Sequence, residues 1–341
     1  QGLVAAGSNV QRLGIVPTAA VSAAVLDRVD VSAGIMITAS HNPWQDNGIK
    51  VVDEKGEKLL NPDALAAHFS NPQTKGNGHV ASHPDPLRAW RAHLPKVDLR
   101  GWRVLLDAAH GTCAVAAPQA LRAAGADVVT IGCSPNGRNI NDSVGAMHPP
   151  TDVQGCDVAI CLDGDGDRLV MVHPTHGRLD GDDLLWMLAK DTSHTVVGTV
   201  MSNGGLEEAL GNRLVRTAVG DANVWAEMLR IGSPLGGEPS GHIMLRDGMP
   251  TSDGLYTALR VLQQSKNNEL QVEGWTRRPQ TLKNIRNVEA NANLPEIHAA
   301  ENEGCRVLVR ASGTEPVVRI MVEGPGCESW AERIANALPS I

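Results

Sequence analysis

Short apolar runs alternate with stretches of helical period along most of the chain, the pattern of an α/β protein. Ala33–Ile37 is an apolar run of strand length. Trp102–Asp107 predicts a buried strand, Ala114–Ala124 a helix with Gly125 placed to cap it, and Ala126–Ile131 the next strand. That βαβ unit implies a parallel sheet. Asp157–Leu162 predicts another buried strand. Thr195–Met201, Leu206–Leu210 and Leu214–Val219 form a second strand–helix–strand unit, and Val224–Arg230 and Leu255–Leu262 carry helical periodicity. The polar stretch 264–275 then breaks the pattern. After it come a strand over 281–288, a short helical stretch, strands over 306–310 and 317–322, and a helix from about Glu328. This last order predicts a small α+β domain with an antiparallel sheet.

An earlier break falls at 71–86, rich in Asn, Pro, Gly, Ser and His. The expected fold is therefore α/β and multi-domain: three successive α/β domains with mixed sheets plus a C-terminal α+β domain. The expected boundaries are 1–86, 87–181, 182–267 and 272–341. A chain of 341 residues exceeds one ordinary core.

Composition narrows the function classes. Hydrophobic residues make up 42% and charged residues 20%, with a net charge of −8 mixed along the chain. A nucleic-acid surface needs a basic stripe, and one Phe and one Tyr leave few stacking platforms beside the seven Trp. No apolar run reaches membrane-spanning length, and no signal-peptide pattern opens the chain. The six Cys form no C-x-x-C pair, so reduced buried thiols in a cytoplasmic protein are expected. An acidic chain that binds an anionic ligand must do so through local donors or a metal.

Four motifs carry candidate chemistry. Asp163-Gly164-Asp165-Gly166-Asp167-Arg168 directly follows a strand, where ligands sit in open α/β sheets. Its three alternating carboxylates can converge on one hard cation. A calcium EF-hand loop requires Gly and Glu where Arg168 and Pro174 stand. The remaining alternative is a solvated acidic turn. Thr38-Ala39-Ser40-His41-Asn42-Pro43 puts Ser40 at a strand end, where its hydroxyl can be phosphorylated or act as nucleophile, or can simply shape a turn. The G-x-S-x-G of serine hydrolases is absent from it. In Gly236–His242, Glu238, Ser240 and His242 alternate, so an extended loop would point them one way for polyol recognition and proton transfer. Between two predicted strands, Ser312, Gly313 and Thr314 could form an anion nest, with Arg310 and Arg319 adding bidentate phosphate contacts, or the segment could be a plain hairpin turn.

In this order the motifs resemble those of the α-D-phosphohexomutase superfamily, most closely its bacterial phosphoglucosamine mutase group. SHNPWQDNGIK (40–50), VVGTVMSN (196–203), VRTAVGD (215–221), GGEPSGH (236–242) and RVLVRASGTEPVVRIMVEG (306–324) carry the resemblance. It spans essentially the whole chain, more loosely over 54–100 and 264–304. It implies a phosphoserine domain, a metal-loop domain, a sugar-loop domain and a phosphate-binding C-terminal domain. It further implies isomerisation of glucosamine 6-phosphate and glucosamine 1-phosphate through a sugar bisphosphate, with Mg²⁺, as a step toward cell-wall precursors. Ser40 then matches the phosphoserine, and Asp163, Asp165, Asp167 and a phosphoserine oxygen match the metal ligands. Glu238 and Ser240 match the residues that grip sugar hydroxyls. Arg310, Ser312, Gly313, Thr314 and Arg319 match the site of the non-reacting phosphate, and Lys50, Arg168 and His242 stand near the reacting oxygens.

The expected partners are a hexosamine phosphate and its bisphosphate, with no nucleic acid and no membrane, and the resemblance leaves room for a homodimer. Two departures qualify it. Ala222-Asn223 stands where that group usually carries Arg-Tyr. The chain also opens at Gln1 without several tens of residues usual in the family, including a Gly-Ile-Arg-Gly stretch, so the expectation is an N-terminally incomplete enzyme of weak or no activity. The alternatives are a phosphoglucomutase/phosphomannomutase and a non-catalytic relative that only binds sugar phosphates or a partner.

Overall fold

The computed structural model describes residues 1–59, 76–265, 268–311 and 317–339. The chain divides into two compact units, residues 1–200 with 213–273, and residues 201–212 with 274–341.

The first unit contains the mixed sheets that the sequence predicts. β1 (Val10–Arg12) pairs in parallel with β4 (Val80–Ser82), and β2 (Gly34–Thr38) pairs antiparallel with β3 (Gly48–Val52). The helix Thr18–Leu26 covers β2, while Ile35, Ile37 and Ile49 are exposed. The next sheet contains β5 (Arg103–Asp107), β6 (Asp127–Ile131), β7 (Val158–Leu162), β8 (Leu169–His173) and β9 (Gly177–Leu179), in the order β6-β5-β7-β8-β9. β5 runs parallel to β6 and β7, joined to β6 through the helix Cys113–Ala123, after which Gly125 N–H donates to Arg122 O. β7 is buried along its whole length, as its unbroken apolar run requires.

A second mixed sheet holds β10 (Val196–Thr199), β11 (Leu214–Thr217), β12 (Leu235–Gly237) and β13 (Ile243–Leu245), in the order β11-β10-β12-β13. β10 is parallel to β11 and β12, and β12 turns back into β13. The helix Gly254–Gln263 packs against β7, β8 and β13, tying the two sheets together. Asp253 caps that helix by accepting from Tyr256 N–H, and its other oxygen accepts from the buried Trp90 indole at 2.6 Å.

The second unit contains β14 (Gln280–Arg286), β15 (Arg306–Ala311) and β16 (Val317–Glu323), antiparallel in the order β14-β16-β15. Val318, Ile320 and Val322 of β16 pack against Trp330, Ala331 and Ile334 of the helix Cys327–Ala337. Glu323 is fully buried at the start of the helix Gly204–Leu210. It accepts from Gly204 N–H and from Arg306 at 2.9 Å. Among the described residues no helix is long and apolar enough to cross a membrane.

Several elements were not in the sequence expectation. β8, β9 and the helix Gly181–Ala189 follow the acidic loop, the helix closed by a capping box of Asp180 and Asp183. β12 is short and two-thirds glycine. A side chain on Gly236 would collide with Met228 and Val224 of the helix Asp221–Ile231. Packing rather than β-propensity therefore selects those glycines.

Candidate active site

Each candidate loop occupies the connection of an antiparallel strand pair. Ser40 lies between β2 and β3, where Thr38 faces Gly48. The Asp163–Arg168 loop joins β7 to β8, closing directly above the Leu162–Leu169 pair. The Glu238–His242 segment joins β12 to β13 above Gly237 and Ile243. These three loops belong to the first unit, which brings them together.

The acidic loop is shaped by its glycines. Gly166 has a φ of +74°, a conformation that favours glycine. A Cβ on Gly164 would lie 2.4 Å from Ser40 O, and Gly164 N–H instead donates to that oxygen at 3.1 Å. The close approach fixes the serine loop on the acidic loop. Asn141, not singled out in the sequence, reinforces it by donating to Ser40 O and Asn42 O, each at 2.8 Å. Ser40 itself adopts a φ of +51°, sparsely populated for a residue with a side chain, and its N–H donates to Thr38 Oγ1. Its Oγ donates to Asp163 Oδ2 at 3.1 Å and accepts from Lys50 Nζ at 3.5 Å.

Asp163, Asp165 and Asp167 are buried, and one carboxylate oxygen from each falls within 4.8 Å of the others. Burial pushes the Asp163 carboxyl up to about 7, helped by the charges of Asp167 and Asp165. Burial also opposes ionisation of Asp167, but Lys50 and His242 hold it well below the usual carboxylate range. Lys50 Nζ lies 2.5 Å from both Asp165 Oδ2 and Asp167 Oδ2, and these carboxylates raise its pKa against the effect of burial. Thr18, also missed in the sequence, donates from its hydroxyl to Asp165 Oδ2. Asp165 Oδ1 is buried without a hydrogen-bond partner. A buried orphan oxygen among converging carboxylates suits a hard divalent cation, so the acidic cluster can hold one.

The sugar-loop candidates converge by a different route from the one expected. Residues 238–242 form a tight turn, with Gly241 N–H bonded to Glu238 O and Glu238 N–H to His242 O, rather than an extended loop. The turn still gathers the side chains. His242 Nδ1 lies 3.3 Å from Glu238 Oε2 and 3.2 Å from Ser240 Oγ, and its Nε2 lies 3.1 Å from Asp167 Oδ1. Burial disfavours an imidazolium there, but Asp167 and Glu238 outweigh it and raise the group to about 9. Arg168 N–H donates to Asp163 Oδ1 and its Nε lies 3.9 Å from Asp163 Oδ2. Burial and the Arg168 charge lower His41 to about 4.

Two further residues enter from the tertiary structure. Lys58 pairs with Asp221, at the start of the helix Asp221–Ile231, and lies 4.0 Å from Asp167. Asp221 falls within the resemblance-bearing stretch 215–221 but carries no motif of its own. Asn223, at the departure from the family pattern, donates from Nδ2 to Val219 O and shapes the Gly220 turn.

In the second unit Arg310 and Arg319 stand directly opposite each other on β15 and β16. Two facing cations destabilise a strand pair unless an anion compensates them. Arg310 Nε is buried without a hydrogen-bond partner among the described residues. Ser312, Gly313 and Thr314 lie outside the described residues.

Models of the phosphoglucomutase/phosphomannomutase family match in three places: α/β/α domain I over residues 1–74, α/β/α domain III over 180–282 and the C-terminal domain over 273–339. The phosphoglucosamine mutase of Acidothermus cellulolyticus is 40% identical over 377 residues, covering 100% of this chain and 81% of that protein. The phosphoglucosamine mutase of Geobacillus kaustophilus is 38% identical over 386 residues, covering 99% and 85%. Among solved structures, a phosphoglucomutase/phosphomannomutase family protein of Burkholderia thailandensis superposes with a TM-score of 0.79 at 22% identity, covering 99% of this chain and 86% of that one. The Aspergillus fumigatus N-acetylphosphoglucosamine mutase, solved with GlcNAc-6P and magnesium, gives 0.74 at 18% identity, covering 94% and 92%.

Proposed function

The chain belongs to the α-D-phosphohexomutase superfamily, in its phosphoglucosamine mutase group, and from that premise we propose that it interconverts glucosamine 6-phosphate and glucosamine 1-phosphate with Ser40 as the phosphoryl carrier. The observation that carries this reading is Ser40 Oγ, held 3.1 Å from Asp163 and 3.5 Å from Lys50 at the edge of a buried carboxylate cluster. A serine hydroxyl beside three carboxylates is an unfavourable place for a phosphate unless cations accompany it.

In the forward direction the Ser40 Oγ–P bond breaks as a hydroxyl oxygen of the sugar phosphate bonds to phosphorus, giving the bisphosphate. After the bisphosphate reorients, its other O–P bond breaks and Ser40 Oγ–P re-forms. Lys50, kept protonated by Asp165 and Asp167, is placed to hydrogen-bond Ser40 Oγ as the Oγ–P bond breaks, and the proton that the attacking hydroxyl gives up balances the one that Ser40 Oγ takes. Arg168 contributes positive charge beside it, and His242 links the acidic loop to the sugar loop. Asp163, Asp165 and Asp167 would hold Mg²⁺, which when bound neutralises the charge that develops on the transferring phosphoryl group. Glu238 and Ser240 grip sugar hydroxyls, and the facing Arg310 and Arg319 hold the non-reacting phosphate.

A substrate panel tests the reading. With Mg²⁺ and a priming bisphosphate, kcat/KM is expected to be highest for glucosamine 6-phosphate. Turnover of glucose or mannose phosphates well above it would move the protein to the phosphoglucomutase/phosphomannomutase alternative.

A further inference from the structure

We propose that Asp221 selects the amino sugar: its carboxylate accepts the 2-ammonium group of the hexosamine phosphate, in the place that the Lys58 ammonium takes in the free chain. The inference rests on the glucosamine reading above and adds to it the residue that enforces the choice.

Lys58 Nζ donates to Asp221 Oδ2, so a primary ammonium already fits against this carboxylate. Both side chains are mostly buried yet retain 20% and 13% exposure, which leaves the pair open to exchange. Asp221 also lies beside the sugar loop. Gly220 N–H donates to Glu238 Oε1 at 2.9 Å, so the backbone one residue before Asp221 is tied to the hydroxyl-gripping glutamate. A carboxylate oxygen of Asp221 and a ring nitrogen of His242 fall within 4.8 Å of each other, and that imidazole contacts both Glu238 and Ser240.

On a hexosamine the amino group is vicinal to ring hydroxyls. A loop that grips one of those hydroxyls therefore presents the amine to a neighbouring group, and Asp221 is the carboxylate on that side.

The exchange conserves charge. Lysine and a protonated amino sugar offer the same group, a cation with three N–H donors and no acceptor. When the sugar ammonium replaces Lys58 on Asp221, the freed lysine keeps a carboxylate within reach, since Asp167 Oδ2 lies 4.0 Å from its Nζ. A glucose phosphate has only a neutral hydroxyl at that position. It cannot balance Asp221, so binding it in the same pose means either leaving the carboxylate uncompensated or keeping Lys58 in place.

The test measures Kd by calorimetry and kcat/KM for glucosamine 6-phosphate and glucose 6-phosphate, using the full chain with Mg²⁺. The quantity read is the preference for glucosamine over glucose. Asp221→Asn keeps the side-chain shape and should cut that preference by about 10- to 100-fold, the scale of a charged hydrogen bond. Lys58→Met removes the resident ammonium but leaves the carboxylate, and should raise the preference by about threefold or more. Opposite shifts from two halves of one ion pair are not expected of a merely structural contact. Asp221→Asn weakening both ligands equally, or both variants shifting the preference the same way, would overturn the assignment. A wild-type chain that prefers glucose 6-phosphate would instead overturn the glucosamine reading and this inference with it.

Discussion

Lys50 Nζ lies 2.5 Å from Asp167 Oδ2, and the same ammonium lies 2.5 Å from Asp165 Oδ2. One organic cation thus already bridges carboxylates that a divalent ion would use. Lysine and metal are expected to compete, and Lys50→Met should tighten Mg²⁺ or Mn²⁺ binding by about tenfold, roughly 1.4 kcal/mol. Turnover of the same variant should fall by about a hundredfold or more, because the ammonium that hydrogen-bonds Ser40 Oγ is lost. Calorimetry with Mn²⁺ checks the first half. Unchanged or weaker binding would mean that lysine and metal use different oxygens. EDTA should abolish turnover of the parent protein and added Mg²⁺ restore it.

Ser40→Ala should lose about a thousandfold or more in turnover, the scale of removing a nucleophile. Intact mass before and after phosphatase treatment should show one phosphate on the parent chain and none on the variant. A variant with near-parental activity would remove Ser40 from the covalent role.

Arg310→Ala should raise KM with little change in kcat, because a remote phosphate is gripped alike in the ground and transition states. Arg310 faces Arg319 across the strand pair, so inorganic phosphate should also raise the melting temperature of the parent more than that of the variant. A drop confined to kcat would argue against the assignment.

Asp253 combines a helix cap with a buried hydrogen bond from Trp90 at 2.6 Å. Asp253→Ala should cost about 2–3 kcal/mol, from the lost cap and the indole N–H left without an acceptor. Gly254 N–H donates to Gly166 O at 2.9 Å, so the same change should also weaken metal binding by loosening the back of the acidic loop. Denaturant unfolding with and without Mg²⁺ reads both effects. Loss of stability with unaltered metal affinity would show that the loop holds its shape without this support.

His242 sets a pH dependence in the metal-free chain. Burial opposes its charge, but Asp167 and Glu238 raise it to about 9, above the roughly 6.5 of an unfolded histidine. The group binds its proton more tightly when folded. Its contribution to stability is therefore complete below about pH 6.5 and is lost as pH rises through about 9. In EDTA, the melting-temperature gap between the parent and His242→Gln should be widest in mildly acidic buffer and should narrow toward pH 10. A gap that widens with pH would reverse the sign and exclude an imidazolium between those carboxylates.

The sequence by itself determined the local chemistry. Ser40 and Asp163–Asp167 lie at the ends of apolar runs, and the fold places both in loops immediately beyond strands β2 and β7. The spacing of the acids, the glycines between them and the switch to antiparallel strands near the C-terminus are short-range patterns, readable because period and turn chemistry act over a few residues. Strands such as β12, selected by packing against the helix Asp221–Ile231, gave no such signal.

Only the tertiary structure decided which distant residues complete the site. Thr18 meets Asp165 across 147 positions, Asn141 meets Ser40 across 101 and Lys58 meets Asp221 across 163. Each contact depends on how separate strand pairs pack within one unit. No periodicity along the chain specifies such a meeting, because its geometry is fixed by the buried faces of the sheets and not by the residues that finally touch.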